Sequence, residues 1–107
     1  MNAWEVWRCD LGHGVHPVVI VSHPLRAANK PVVEVLDCSS QRAGRNPDKT
    51  EVLLDAADGM NWETLCKCDC IYAVEKRELS DYRGRVTVER RRTIVQAIIN
   101  AHDWGRI

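Results

Sequence analysis

The 107-residue chain has no net charge, because 15 basic residues are balanced by 15 acidic ones. That removes any global electrostatic argument for a nucleic-acid or membrane partner, since attraction through the overall field needs a surplus of one sign. No apolar run approaches the roughly 18 residues that a bilayer span requires, so no membrane association is expected. The opening MNAWEVWRCD lacks the basic segment and apolar stretch of a signal peptide, and a cytoplasmic setting is expected. No internal repeat or low-complexity linker interrupts the chain, and its length suits one domain, 1–107, with a single modest core. Among the five cysteines, an odd number, there is no C-x₂-C pair. Such knuckles wrap tetrahedral zinc. Without them Cys66-x-Cys68-x-Cys70 reads as small hydrophobes on one face of a strand in a reduced protein, and no metal is expected.

What the chain does have is a stretch from Asp10 to Ser22, DLGHGVHPVVIVS, that reads as the centre of the fold. Its first half is loop-like, with Gly12 and Gly14 alternating with His13 and His16 before Pro17. Its second half, Val18 to Val21, is β-branched and uninterrupted, which favours a buried strand over a helix. Two imidazoles therefore stand at the mouth of a central strand. Imidazole is the side chain best suited to give and take protons near neutrality.

Around this stretch the pattern predicts short strands over Trp4–Cys9, Val18–Ser22, Pro31–Leu36, Thr50–Leu54, Trp62–Val74 and Tyr82–Val86. His23-Pro24 starts a connection, and Gln41–Lys49 forms a basic loop with turn residues Gly44, Asn46 and Pro47. Thr87 is placed to cap a helix running to about His102, with Val88, Ile94, Val95, Ile98 and Ile99 on one stripe. About five to seven short strands and one amphipathic helix describe a mainly β (α+β) domain, a twisted and partly closed barrel with a helix packed on it.

In order and spacing these pieces resemble the MazF/PemK/Kid family of toxin–antitoxin endoribonucleases. Glu5-Val6-Trp7 is similar to the family's opening E-[IV]-W. His16-Pro17-Val18-Val19-Ile20-Val21-Ser22 is similar to its R-P-V strand, with His16 in place of the arginine. Cys38-Ser39-Ser40-Gln41 resembles the segment that ends the third strand, and Lys67-Cys68-Asp69 resembles a segment of the fifth. The likeness spans nearly the whole chain. It implies a partly open SH3-like barrel, a homodimer, cleavage of single-stranded RNA that needs no metal and no cofactor, and a cognate antitoxin that covers the site.

Metal-free RNA cleavage needs a base for the 2′-OH proton, positive charge or donors for the phosphorus centre, and an acid for the leaving 5′-oxygen. Carried over by position, the resemblance assigns His16 as general acid or phosphate ligand and Asp69 or His13 as base or orienter. Lys67 becomes the charge stabiliser and Ser40 a phosphate donor. Strand geometry puts Lys67 beside Asp69, roughly 7 Å along one face. Arg42, Arg45 and Lys49 in the loop after Ser40 suit a single-stranded backbone, and Trp62 or Tyr72 a stacked base. Two other readings fit the same sequence. One is a protein of this fold that binds RNA or a partner without cleaving. The other is a gyrase poison like the related CcdB toxins, whose terminal Trp-Gly-Ile resembles Trp104-Gly105-Arg106-Ile107.

Overall fold

The computed structural model describes residues 1–103; Trp104, Gly105, Arg106 and Ile107, the tail compared with CcdB, lie outside them. In chain order the elements are β1 (Glu5–Asp10), β2 (Val15–Ile20), α1 (Pro24–Asn29), β3 (Val32–Cys38), β4 (Glu51–Leu54), β5 (Thr64–Glu75), β6 (Ser80–Arg85) and α2 (Val88–His102). The strands form one antiparallel sheet in the order β4-β5-β3-β2-β1-β6. It curls into a half-barrel: the turn after β4 reaches β6 by contact, without a ladder between them. A Cβ on Gly59 would lie 2.6 Å from the Arg83 carbonyl oxygen, and Gly59 has φ +94°, so only glycine fits that approach.

The sheet divides the buried apolar residues into two clusters. On one face Val6, Val19, Leu36, Leu54, Cys66 and Cys68 pack under Ile94 and Ala97 of α2. On the other, Val18, Ile20, Val33, Val35 and Val74 pack with Ala27 of α1. Alternation along each strand produces this split, and each fully buried aliphatic side chain contributes about 1.5–3 kcal/mol. Arg90 fastens α2: its guanidinium donates to the Leu53 carbonyl and lies 2.9 Å from Asp55 and 3.4 Å from the fully buried Asp58.

Several expectations are corrected. His23-Pro24 starts a helix, not merely a connection. Proline suits the first helical position, and the His23 ring accepts from the Leu25 N–H at 3.1 Å. Strand β2 begins at Val15, so His16 and Pro17 are in the sheet and the preceding turn is shorter. Thr87 sits at the N-cap of α2, but its hydroxyl makes no capping bond. Its N–H donates instead to Asp58 at 3.0 Å. The α2 stripe is only half used. Ile94 is buried, whereas Val88, Val95 and Ile99 are 56, 45 and 44 % exposed. Finally, the three cysteines do not share one face. Partners of β3 jump from Leu36–Ile71 to Asp37–Lys67, a bulge that takes up the residues between. Cys66 and Cys68 stay in the α2 core, while Cys70 is left out of it.

Candidate active site

The site follows from where β2 stops pairing. Its ladder with β1 runs from Val15 to Val19, but its ladder with β3 covers only Val18 to Ile20. Proline has no N–H to donate, so Pro17 is tolerated just beyond the β3 ladder. The overhang Val15–Pro17 opens a gap beside the end of β3, and His16 sits in it. Val18 faces Asp37 across the ladder, so His16, two residues earlier, is the diagonal neighbour of Asp37 on the same face.

There the two side chains meet. His16 Nδ1 lies 2.9 Å from Asp37 Oδ1. His13, on the glycine-flanked turn, places Nε2 3.3 Å from Asp37 Oδ2, and the two rings cross edge to face with centroids 4.7 Å apart. Asp37 is only 3 % exposed. An ionised carboxylate accepts and cannot donate, so each imidazole directs an N–H at it. That bond fixes each tautomer and leaves His16 Nε2 and His13 Nδ1 for other work. A carboxylate so deeply placed needs such partners, because an unpaired buried charge is costly.

The other expected residues fall into two adjoining depressions. Ser40 lies in a cleft of about 130 Å³ with Arg8, Pro17, Trp62 and Arg83. Lys67 lies in a groove of about 450 Å³ with Arg42, Arg45 and Glu51. Ser39 lines both, so they adjoin there. Lys67 is the cross-strand neighbour of Asp37 on one side and of Glu51 on the other. Arg42 stacks its guanidinium 5.7 Å from the Trp62 ring, which is 40 % exposed, and the tryptophan is therefore not a core residue. Arg45 is held by two bonds of 2.6 and 2.7 Å to Glu51, whose carboxyl it keeps below the usual glutamate range. Lys49 is exposed at the end of the loop. Tyr72 lies with its ring centroid 6.4 Å from that of His13.

Asp69 is exposed in the β5 bulge, where its side chain meets the Cys70 thiol. Among the described residues no ion pair joins it to Lys67, and the bulge lies between Lys67 and Ile71. The buried thiols are inert: hydrogen bonding to Cys38 and burial push Cys66 far up, and hydrogen bonding to Cys66 together with burial does the same to Cys68.

Sequence reasoning missed Asp37, Arg8 and Arg83. A signal for Asp37 was present. In VVEVLDC, Val33 and Val35 alternate toward the core, and Asp37 continues that face. A carboxylate ending a buried apolar row is out of place unless something pairs with it. Arg8 and Arg83 gave no such signal, because the fold brings them together at Asp81, at 3.9 and 3.1 Å.

A model of the PemK-like, MazF-like toxins of type II toxin–antitoxin systems matches residues 2–102. The chain belongs to that family. Its fold is also that of solved toxins. An endoribonuclease from a mycobacterial species, solved with its cognate antitoxin, is 29 % identical, with TM-score 0.84 over 97 % of this chain and 96 % of that one. A second mycobacterial endoribonuclease is 27 % identical, with TM-score 0.81 over 96 % and 91 %. The Mycobacterium tuberculosis toxin MazF-mt6, 23 % identical with TM-score 0.79 over 92 % and 96 %, shares the fold. No curated protein matches the chain. As a PemK/MazF-like toxin, this chain carries His16 paired with Asp37 at the position that the sequence comparison assigned to the family arginine.

Proposed function

We propose that this toxin is a sequence-specific endoribonuclease that cleaves single-stranded RNA without a metal cofactor and so arrests growth. The observation that carries the reading is the pair of imidazoles held on one buried carboxylate beside a groove lined with cations. One ring, His13, takes the 2′-OH proton. The freed 2′-oxygen attacks phosphorus, the bond from phosphorus to the 5′-oxygen breaks, and His16, entering as the imidazolium with Nδ1–H on Asp37, gives its Nε2 proton to that oxygen. The products are a 2′,3′-cyclic phosphate and a 5′-hydroxyl. Lys67 and Ser40 offset the charge that builds on the phosphate. Asp37 touches neither reacting atom and acts as a positioning residue for both rings. His13 is the better base than Asp69, because it shares Asp37 with His16.

Arg42 and Trp62 hold the strand through charge and stacking, with Lys49 farther along the loop. Arg45 is tied to Glu51 and contributes mainly by shaping that loop. The partners of the toxin are single-stranded RNA, a cognate antitoxin covering the groove, and a second copy of the chain. The exposed apolar face of Ile71, Val95 and Ile99 suits the dimer contact.

The test is cleavage of a single-stranded RNA by purified protein in EDTA, with His16→Ala and Lys67→Ala beside the parent chain. Cleavage by the parent, lowered about 10²–10⁴-fold by His16→Ala, is expected. RNA binding without cleavage by the parent chain would instead establish the non-enzymatic reading.

A further inference from the structure

Two histidines and a carboxylate converging from different elements are also a ligand set. His13 Nε2, His16 Nδ1 and the Asp37 carboxylate all lie within 4.8 Å of one another. Metal bonds of about 2.0–2.2 Å put the ligand atoms of a tetrahedral site roughly 3.3–3.6 Å apart. Of the nitrogen–oxygen separations here, 3.3 Å is at that edge, and 2.9 Å is a hydrogen-bond distance that opens by a few tenths of an ångström as the ion replaces the proton. We propose that His13, His16 and Asp37 form a three-ligand site for a zinc-class divalent ion, and that its occupancy switches off the acid–base pair.

The donor set selects the ion class. Two imidazoles and one carboxylate suit zinc and its first-row neighbours, whereas calcium and magnesium favour all-oxygen sites. The supports differ in rigidity, in the way such a site requires. His16 and Asp37 are fixed on neighbouring strands. His13 stands between Gly12 and Gly14, both with positive φ, and a Cβ added to either would meet nothing within 4 Å. His13 is thus free to close on an ion that the other two hold. Three protein ligands leave a fourth position for water.

Occupancy blocks catalysis for a chemical reason. When the ion takes His16 Nδ1, the proton there leaves; when it takes His13 Nε2, that ring's single proton moves to Nδ1 and fills the lone pair that would accept the 2′-OH proton. The His16 ring is then neutral, with its remaining proton on Nε2. It has no lone pair left to accept a proton, and losing this one would leave an anionic imidazolate. This inhibitory role rests on the nuclease reading; the binding site itself does not.

Titration of the EDTA-treated full chain with Zn²⁺ by calorimetry, and with Co²⁺ by visible absorption, tests the site. One ion per chain is expected. His13→Ala, an exposed loop change that does not threaten folding, and Asp37→Asn each weaken Zn²⁺ binding by at least about tenfold. His23→Ala, at the cap of α1, leaves binding unchanged. No saturable binding, or equal affinity in His13→Ala, overturns the site. In parallel, saturating Zn²⁺ lowers RNA cleavage by about 10²-fold or more, and EDTA restores it. A zinc-loaded chain that cleaves at the metal-free rate overturns the switch. A chain that binds Zn²⁺ through His13 and Asp37 but cleaves no RNA in EDTA supports the site and overturns the switch and the nuclease reading together.

Discussion

The side chain of Asp37 bridges two imidazoles, with His16 2.9 Å from one of its oxygens and His13 3.3 Å from the other. Val33 and Val35 precede it on the same face of β3, and Val18 of β2 and Lys67 of β5 stand across from it. A carboxylate in that place orients whatever it binds. Asp37→Asn keeps the shape of the side chain but leaves one ring a neutral carbonyl oxygen and turns an NH₂ donor toward the other. Turnover on single-stranded RNA is expected to fall by about 10²-fold, with KM nearly unchanged, because the effect is on ring orientation and not on strand binding. Equal falls in affinity and turnover would point to a collapsed groove instead.

Strand binding is carried by different residues. Trp62→Ala removes an exposed ring, and Arg42→Ala removes both the cation stacked on it and a phosphate contact. Loss of one stacked base is worth about 1–3 kcal/mol, so KM should rise roughly 5- to 150-fold with little change in kcat. Measured against salt concentration, Arg42→Ala should also reduce the slope of log affinity by about one.

The loop after Ser40 is expected to be acid-sensitive. Arg45 first of all, then the Asp48 N–H, hold the Glu51 carboxyl below its usual value of 4.5 against the opposing effect of burial. The folded value is the lower one, so this stabilisation is complete above the unfolded value and is lost as pH falls through the folded value. Tryptic cleavage at Arg42 and Arg45 should therefore accelerate on acidification below about pH 4.5 once digestion is corrected for the enzyme's own pH response. In Glu51→Gln the loop should be cut rapidly at neutral pH already, with little further dependence on acid.

Two glycines with similar backbones should respond differently to alanine. Gly59 has φ +94° and its added Cβ would meet the Arg83 carbonyl at 2.6 Å. Gly12 has φ +100° but open space around it. Gly59→Ala is expected to cost about 2–4 kcal/mol from strain and overpacking, and Gly12→Ala only about 1–2 kcal/mol from strain. Chemical denaturation of the two variants checks the ranking.

The exposed apolar face of α2 is the proposed dimer contact. Val95 and Ile99 are 45 and 44 % exposed, so Val95→Glu or Ile99→Glu should leave the fold intact. Light scattering after size exclusion should show the parent as a dimer and either variant shifted toward the monomer. A parent chain that is monomeric at the same concentration would remove this contact from the proposal.

Much of the fold was legible in the sequence because the signals were local. Period-2 alternation and β-branched runs marked all six strands, and the 3.6-residue period marked α2. The six-residue α1 escaped because its signal, His23 before Pro24, also reads as a turn. The irregular stretch of β5 was not legible, because alternation assumes a regular strand. The bulge in β5 is set by pairing with β3, and no residue in CKCDC announces it.

The sequence by itself determined the elements, their order, the family to which the chain belongs, and the presence of two histidines at the head of β2. Periodicity, turn residues and motif spacing are properties of neighbours along the chain. Only the tertiary structure decided what those histidines do. Asp37 is 24 residues from His13 and 21 from His16, and antiparallel pairing of β2 with β3 brings it to both. The carboxylate thereby becomes the common partner of two proton-carrying rings, which is a relation between strands and cannot be read from either strand alone.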